Sequence, residues 1–380
     1  MTEKLYYIDP YIKEFDATVI SVCECEGGFD VILNKTAFFP EEGGQSSDTG
    51  YIASARVVQV FESQGIVHHI CDSNPVSDEV RCSIDFEDRF EKMQCHTAEH
   101  ILCGIIHKLF GFDNVGFHLG VDEVVFDVDG VLSREDLDRV ESLANEAVFS
   151  NAPVTAWFPD KDELSTVQYR AKLDLTEGVR LVKIGEYDIC ACCAPHVDRT
   201  GEIGLIKILD FMKHRGGTRI WMVAGRRALA DYKARYENIK KISGLLSAPQ
   251  ADVAEVLSDF VDDNTKLKNN LKLSRLKIAE LYAEGVESSD SSAVFLLEDF
   301  TIPELIAFSN TACSKISGIC VALSGSDGNY KYVISSQSEN LKALAPEINK
   351  SLSGNGGGKP NMIQGSFAST LDEIKAYFKA

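Results

Sequence analysis

The sequence predicts an α+β protein: a β-rich N-terminal unit, an α/β core carrying metal-ligand residues, a helical arm with coiled-coil spacing, and a small C-terminal α/β domain. Three observations predict it. Short runs that alternate apolar and polar residues fill positions 1 to 90, and helical spacing takes over from Glu91. A proline-interrupted helical stretch from Arg226 to Glu284 then separates the core from a tail of mixed pattern. At 380 residues the chain exceeds what one hydrophobic core organises, so the expected divisions are 1–90, 91–225, 226–285 and 286–380.

Within the N-terminal unit, Thr18 to Val22, Asp30 to Leu33 and Arg56 to Phe61 read as strands between Gly-rich breaks. A helix runs through His107, a second from Arg134 to Phe149 follows the Ser133 cap, and Val179 to Leu209 returns to strands around a cysteine cluster. Beyond Ser247-Ala248-Pro249, the positions Leu257, Phe260, Asn264, Leu267, Leu271, Ser274, Ile278 and Leu281 advance by threes and fours. That is the spacing of a coiled-coil seam, which predicts a helical hairpin or a homodimer arm. In the last domain Ala293 to Leu297, Gly318 to Leu323 and Tyr330 to Ser335 read as strands, and Ile302 to Ser314 and Asn340 to Ser353 as helices. The stretch Gly354-Asn355-Gly356-Gly357-Gly358-Lys359-Pro360 reads as a loop whose bare backbone admits a ligand closely, with a flexible linker as the plain alternative.

Apolar residues make up 44% and charged residues 25%, the balance of a folded globular chain. The N-terminus has no apolar signal core and no segment has the length and hydropathy of a membrane span, so a cytoplasmic protein without a membrane partner is expected. Eleven cysteines, three of them crowded at 190 to 193, fit reduced thiols and a metal site better than a disulfide framework. A net charge of −20 excludes general nucleic-acid affinity, so any RNA contact must be local. The basic patches available are Lys213-His214-Arg215 with Arg219, the pair Arg226-Arg227, and Lys266, Lys268, Lys272, Arg275 and Lys277, each of which also reads as an ordinary solvated face.

The chemistry concentrates in two short motifs. His96 and His100 stand four residues apart in a helical segment, which puts both imidazoles on one face within reach of a shared metal. Alone, such a pair is as well explained by a surface or core pairing. Cys192-Cys193-Ala194-Pro195-His196 adds a thiolate and a third imidazole, the nitrogen and sulfur mixture that zinc prefers in tetrahedral sites. Cys190 or Cys193 could replace Cys192, and a closed structural zinc site remains open. The HExxH metalloprotease pattern is absent because position 97 is Thr, and the Pro-Cys-x-x-Cys run of zinc deaminases is missing. Glu99 is a candidate acid or base. Upstream, Thr36 and the Gly43-Gly44-Gln45 turn form a polar, Gly-rich segment able to hydrogen-bond a small polar substrate, or simply a hairpin loop.

Taken in order, Phe38-Phe39-Pro40-Glu41-Glu42-Gly43-Gly44-Gln45, His96-Thr97-Ala98-Glu99-His100 and Cys192-Cys193-Ala194-Pro195-His196 resemble the editing module of alanyl-tRNA synthetase and its freestanding relatives, the AlaX-type alanyl-tRNA editing proteins. Gly356-Gly357-Gly358-Lys359-Pro360 is similar to the signature of the C-terminal domain found in the synthetase and in long AlaX proteins. The resemblance covers nearly the whole chain, and no upstream aminoacylation region is seen. It implies that His96, His100, Cys192 and His196 bind zinc, that Thr36 recognises a serine hydroxyl, and that Gln45, Gly43 and Gly44 line the pocket. It further implies that Gly356, Gly357, Gly358 and Lys359, with Arg226 and Arg227 as further candidates, contact tRNA. The departure is Cys-Cys-Ala-Pro-His where the family often has Cys-Gly-Gly-Thr-His, which stiffens the loop and adds a competing thiol.

The activity so implied is hydrolysis of seryl or glycyl esters on alanine tRNA, sparing the alanyl ester. A site built to bond a hydroxyl rejects a substrate lacking one more effectively than an apolar pocket rejects an added hydroxyl. Zinc would either lower the pKa of a bound water or hold the substrate. The alternatives are a deacylase of other specificity, such as a threonyl-tRNA editing domain, and a noncatalytic tRNA-binding protein with structural zinc.

Overall fold

The computed structural model of the chain describes residues 1–120, 123–171 and 178–379. These fall into two compact units, Met1–Lys240 and Lys241–Ala380. Helix and sheet are both extensive in each, as an α+β chain requires.

In the first unit the alternating N-terminal segments close into a six-stranded barrel. The strands follow one another as Glu14–Cys25, Gly28–Leu33, Ile66–Cys71, Ala55–Ser63, Gly50–Ile52 and Glu79–Ile84, the last returning to the first. All neighbours are antiparallel. Because side chains alternate across a strand, every second residue fills the barrel: Val31 and Leu33, Val67 and Cys71, Val80, Cys82 and Ile84. Closure removes the free edges that a two- or three-stranded fragment would leave.

Helix α1 (Phe86–Phe110) leaves the barrel and is buried from Lys92 through Ile106. A helix enclosed on all sides should be apolar throughout, yet this one carries Arg89, Lys92, Gln94, His96, Thr97, Glu99 and His100. Each of these is tied to a partner, as buried polar groups must be. Around α1 pack a four-stranded antiparallel sheet ordered Ile206–His214, Gly217–Ala224, Val124–Val128, Asn114–Leu119, and helix α2 (Arg134–Phe149). Ser133 caps α2 reciprocally with Asp136. A three-stranded sheet, Val154–Trp157, Leu181–Ile184 and Asp188–Ala191, completes the unit with the short α3 (Lys161–Thr166).

The expected arm divides between the units. Helix α4 (Gly225–Leu246) lies mostly in the first, and Ser247, in the left-handed region at φ 52°, with Pro249 ends it. Helix α5 (Val253–Glu284) belongs to the second unit and leaves Leu257, Phe260, Leu267, Leu271, Ile278 and Leu281 of the seam exposed. Next come α6 (Ile302–Ala312), α7 (Leu341–Ser351) and α8 (Leu371–Phe378) on a five-stranded sheet ordered Ala293–Leu296, Ile319–Ser326, Asn329–Ser336, Met362–Phe367, Gly354–Lys359. Among the described residues no helix is long and apolar enough to cross a membrane.

Here the Gly-rich segment departs from expectation. Gly354–Lys359 is an edge strand, not a loop, paired antiparallel with Met362–Phe367. Its glycines serve packing: a Cβ on Gly356 would lie 2.3 Å from the Tyr332 hydroxyl, and the Gly356 carbonyl accepts from Asn349 Nδ2 at 2.9 Å. Gly354 to Gly358 lack the propensity of a strand, so tertiary pairing overrides the local signal.

Candidate metal centre

His96, His100, Cys192 and His196 converge, with one ligand atom from each lying within 4.8 Å of all the others. Two turns of α1 supply the first pair, and the loop after the strand Asp188–Ala191 supplies the second. Cys192 Sγ is 3.3 Å from His196 Nε2 and 3.6 Å from His96 Nε2. A tetrahedral zinc with bonds of about 2.05 Å to nitrogen and 2.3 Å to sulfur would set its ligands about 3.5 Å apart. The donor set and its spacing therefore fit such an ion.

The ring nitrogens turned away from the cluster are fixed by hydrogen bonds. His96 Nδ1 donates to Gln45 Oε1 at 2.8 Å, and His100 Nδ1 to Asp188 Oδ2 at 3.1 Å. Thr97 Oγ1, having given its proton to the Met93 carbonyl, accepts from His196 Nδ1 at 3.0 Å. All three histidines are thus held with Nε2 toward the cluster, as partners to metal-ligating imidazoles commonly arrange. Asp188 is itself clamped by Arg170, through Nε at 2.8 Å and Nη2 at 2.7 Å.

The electrostatics favour a thiolate at Cys192. Burial pushes that thiol up, but His96, His196 and the His100 contact outweigh burial and hold it well below its ordinary value. Burial drives His196 down to about 3, so it is neutral and its lone pair is free to ligate. Burial also lowers His100, but Cys190 and Asp188 together raise it well above the usual imidazole range. Cys193 is opposite in behaviour to Cys192, since burial and the neighbouring Cys192 and Glu42 raise it. Cys190 forms a second group of potential ligands with His100 and Asp188.

Gly43 and Gly44, at φ 63° and 85°, form the centre of a tight turn closed by reciprocal Glu42 and Gln45 backbone bonds at 3.2 and 3.1 Å. Positive φ at both central residues is the primed hairpin geometry that glycine alone adopts freely. A Cβ on Gly44 would also strike the Phe117 carbonyl at 2.6 Å. The turn is therefore a device that delivers Gln45 to His96. Gln45 is fully buried and its Nε2 has no partner among the described residues.

Thr36 is placed differently from expectation. It is fully buried, and its hydroxyl lies 2.8 Å from His69 Nε2 and accepts the Phe38 N–H at 3.1 Å. Burial lowers His69 to about 4, so the ring is neutral. Its Nδ1 donates to the Val31 carbonyl at 2.9 Å, and Nε2 must take the Thr36 proton. The hydroxyl is thereby committed inside the barrel rather than turned to a substrate.

A cavity of about 750 Å³ opens over the cluster, lined by His96, Glu99, His100, Cys192, Arg180 and Phe158 among others. Neither Thr36 nor Gln45 lines it. Glu99 accepts from Asn114 Nδ2 and, at 3.3 Å, from the Cys103 thiol. A second hollow of about 1000 Å³ shares Asn114 and Arg170 with the first but holds none of the four clustered side chains.

The expected tRNA contacts are scattered. Arg227 is spent on Glu91 at 2.6 Å and the Gly120 carbonyl at 2.7 Å, while Arg226 pairs with Glu87 at 3.0 Å. Arg219 and Arg275 are likewise paired, with Asp127 and Glu304. Lys213 and Arg215 stay exposed at the tip of the Ile206–Ala224 hairpin, and Lys359 at the sheet edge of the second unit.

Residues that the motifs did not point to are Thr97, Asp188, Arg170 and Arg180. Their signal was weak, because each acts through a fold contact remote in sequence. Asp188→Asn removes the charge that orients His100 and answers Arg170. It should weaken metal affinity about 10- to 100-fold. Competition with a chelator measures this, and unchanged affinity would show that His100 is aligned by something else.

The comparisons agree with this architecture. Residues 179–221 match the family model "Threonyl and Alanyl tRNA synthetase second additional domain", and residues 9–88 match "tRNA synthetases class II (A)". The segment 179–221 is thus similar to the second additional domain of these synthetases. It is 28% identical to the alanyl-tRNA editing protein AlaX-L of Pyrococcus horikoshii, across 98% of this chain and 96% of that protein. The similarity to that editing protein thus extends over nearly the whole of both chains. Alanine–tRNA ligases of Halobacterium salinarum (33% identical, 86% of this chain) and Archaeoglobus fulgidus (30%, 98% of this chain) also align. The chain spans only 38% and 43% of those ligases.

Proposed function

We propose that this protein is a zinc-dependent hydrolase that removes wrong amino acids, serine or glycine, from alanine tRNA. The observation that carries this reading is the convergence of three imidazoles and a thiolate within 4.8 Å of one another, with His96, His100 and Cys192 on the wall of a cavity large enough for an aminoacylated nucleotide. Similarity to an alanyl-tRNA editing protein over nearly the full length of both supports that choice of substrate.

His96, His100, Cys192 and His196 would hold the zinc. Bound there, the ion would supply Lewis-acid polarisation of the ester or of a water. The chain's own part is positioning and proton handling. Gln45, Asp188 and Thr97 keep the imidazoles in one tautomer. The buried Glu99 carboxylate lines the cavity beside His96 and His100, where it can take a proton from the attacking water. The exposed seam of α5 would pair with a second copy of the chain, and the exposed Lys359 edge and Lys213–Arg215 tip would meet tRNA phosphates.

The decisive experiment mixes the zinc-loaded protein with Ser-, Gly- and Ala-charged alanine tRNA and follows ester loss. Seryl and glycyl esters should disappear while the alanyl ester persists. Survival of both wrong esters would leave a tRNA-binding protein with structural zinc.

A further inference from the structure

Phe158 immediately follows the strand Val154–Trp157, and it is 53% exposed although it lines the metal cavity. A large aromatic left open at such a place is held, not loose. Tyr7 meets it edge-on, with ring centres 5.4 Å apart and planes at 76°. Tyr7 is itself fixed, packing edge-on against the buried Tyr6 at 4.6 Å and lying under the Arg180 guanidinium at 5.2 Å.

Arg180 joins this aromatic pair to the cluster. The residue is only 7% exposed, and its Nη1 donates to the carbonyls of Cys192 at 3.0 Å and Ala194 at 2.9 Å. The loop that presents Cys192 and the ring that braces Phe158 are therefore set by one side chain. Its Nε and Nη2 have no hydrogen-bond partner among the described residues, and the residue lines the cavity. Glu41, Glu42 and Glu62 line the same cavity, so a phosphate entering it is repelled except beside Arg180, Arg170 and Lys4, and of these Arg170 is already paired with Asp188 and Lys4 with Glu62.

An ester carried on the end of a single strand can reach the ligands only if its terminal base leaves the stack below it. An open aromatic face offers that base a replacement, and such stacking tolerates any base because every base has a π face. We propose that the open face of Phe158, braced by Tyr7, stacks the terminal adenine of the tRNA, and that the free guanidinium nitrogens of Arg180 hold the phosphate preceding it. This rests on the editing reading above, since it names how that substrate's last nucleotide is held.

The test uses full-length, zinc-loaded protein and an RNA minihelix ending in CCA with 2-aminopurine in place of the terminal adenine. Stacking on Phe158 should quench its fluorescence. Phe158→Leu keeps an apolar side chain but removes the π face. It should abolish the quench and raise KM for seryl-tRNA about tenfold, more than it lowers kcat, with zinc content unchanged. Phe158→Trp should restore both. No quench with the unaltered protein, or a quench and KM that Phe158→Leu leaves intact, overturns the platform. A protein that quenches the probe but leaves every seryl ester intact keeps the platform and rejects the hydrolase, so the two readings fail separately.

Discussion

Cys192→Ala is expected to give a folded protein that no longer retains zinc and whose hydrolysis of seryl-tRNA falls by about two orders of magnitude or more. Three thiols crowd this segment, and only one is set up as a ligand. Cys192 alone faces His96 and His196 at 3.6 and 3.3 Å, and the surrounding imidazoles hold its thiol well below the ordinary range despite burial. Cys193 points toward the Glu42–Gly43 turn, where burial and the adjacent Cys192 and Glu42 keep its proton on. A protonated thiol is a poor metal ligand. Cys193→Ala should therefore keep stoichiometric zinc. Cys190→Ala should keep it as well, losing only a group that touches His100 from the Asp188 side. Metal analysis of the three variants after gel filtration decides. Zinc retained by Cys192→Ala, or lost from Cys193→Ala, would reassign the thiolate.

How much of this was legible in the sequence depends on the range over which each signal acts. The helix through His96 and His100 and the cap at Ser133 are local, and both stand within a turn or so of where periodicity and capping residues put them. The closed barrel was not legible, because alternation reveals strands and a buried face but not which strand closes on which. The Gly354–Lys359 strand is illegible for the converse reason: its local composition argues for a loop, and only pairing with Met362–Phe367 and the space needed by Tyr332 make it a strand. At the site, ligand types and spacing named the four metal candidates, but the tautomer partners Asp188 and Thr97 carry no motif. In the sequence, position 97 reads only as a threonine where the metalloprotease pattern has glutamate. Thr36 was assigned an outward role by resemblance, while its neighbour in space, His69, lies thirty-three positions away and turns the hydroxyl inward.

Asp48→Ala is expected to cost about 3–5 kcal/mol of stability, because it strands the fully buried Arg89 guanidinium without its counter-ion. Asp48 ends the segment that begins at Thr36, and it is more than a turn residue. One carboxylate oxygen accepts the Phe39 N–H at 2.6 Å, and both oxygens accept from Arg89 Nε at 2.9 and 3.0 Å. Arg89 also donates to the carbonyls of Ala37 at 2.7 Å and Pro10 at 3.1 Å. Since Arg89 lies on α1 two turns before His96, this one pair locks the Gln45-bearing segment onto the helix that carries half the ligands. Its loss should therefore appear twice: as a melting temperature lower by on the order of 10 °C, and as weaker zinc retention through a loosened Gln45. Replacing both partners together, Asp48→Leu with Arg89→Met, removes the uncompensated charge and should recover part of the stability but not the zinc affinity. Calorimetry and chelator competition on the single and double variants separate the two effects. If the double variant regains full zinc affinity, the pair serves folding alone and Gln45 is positioned without it.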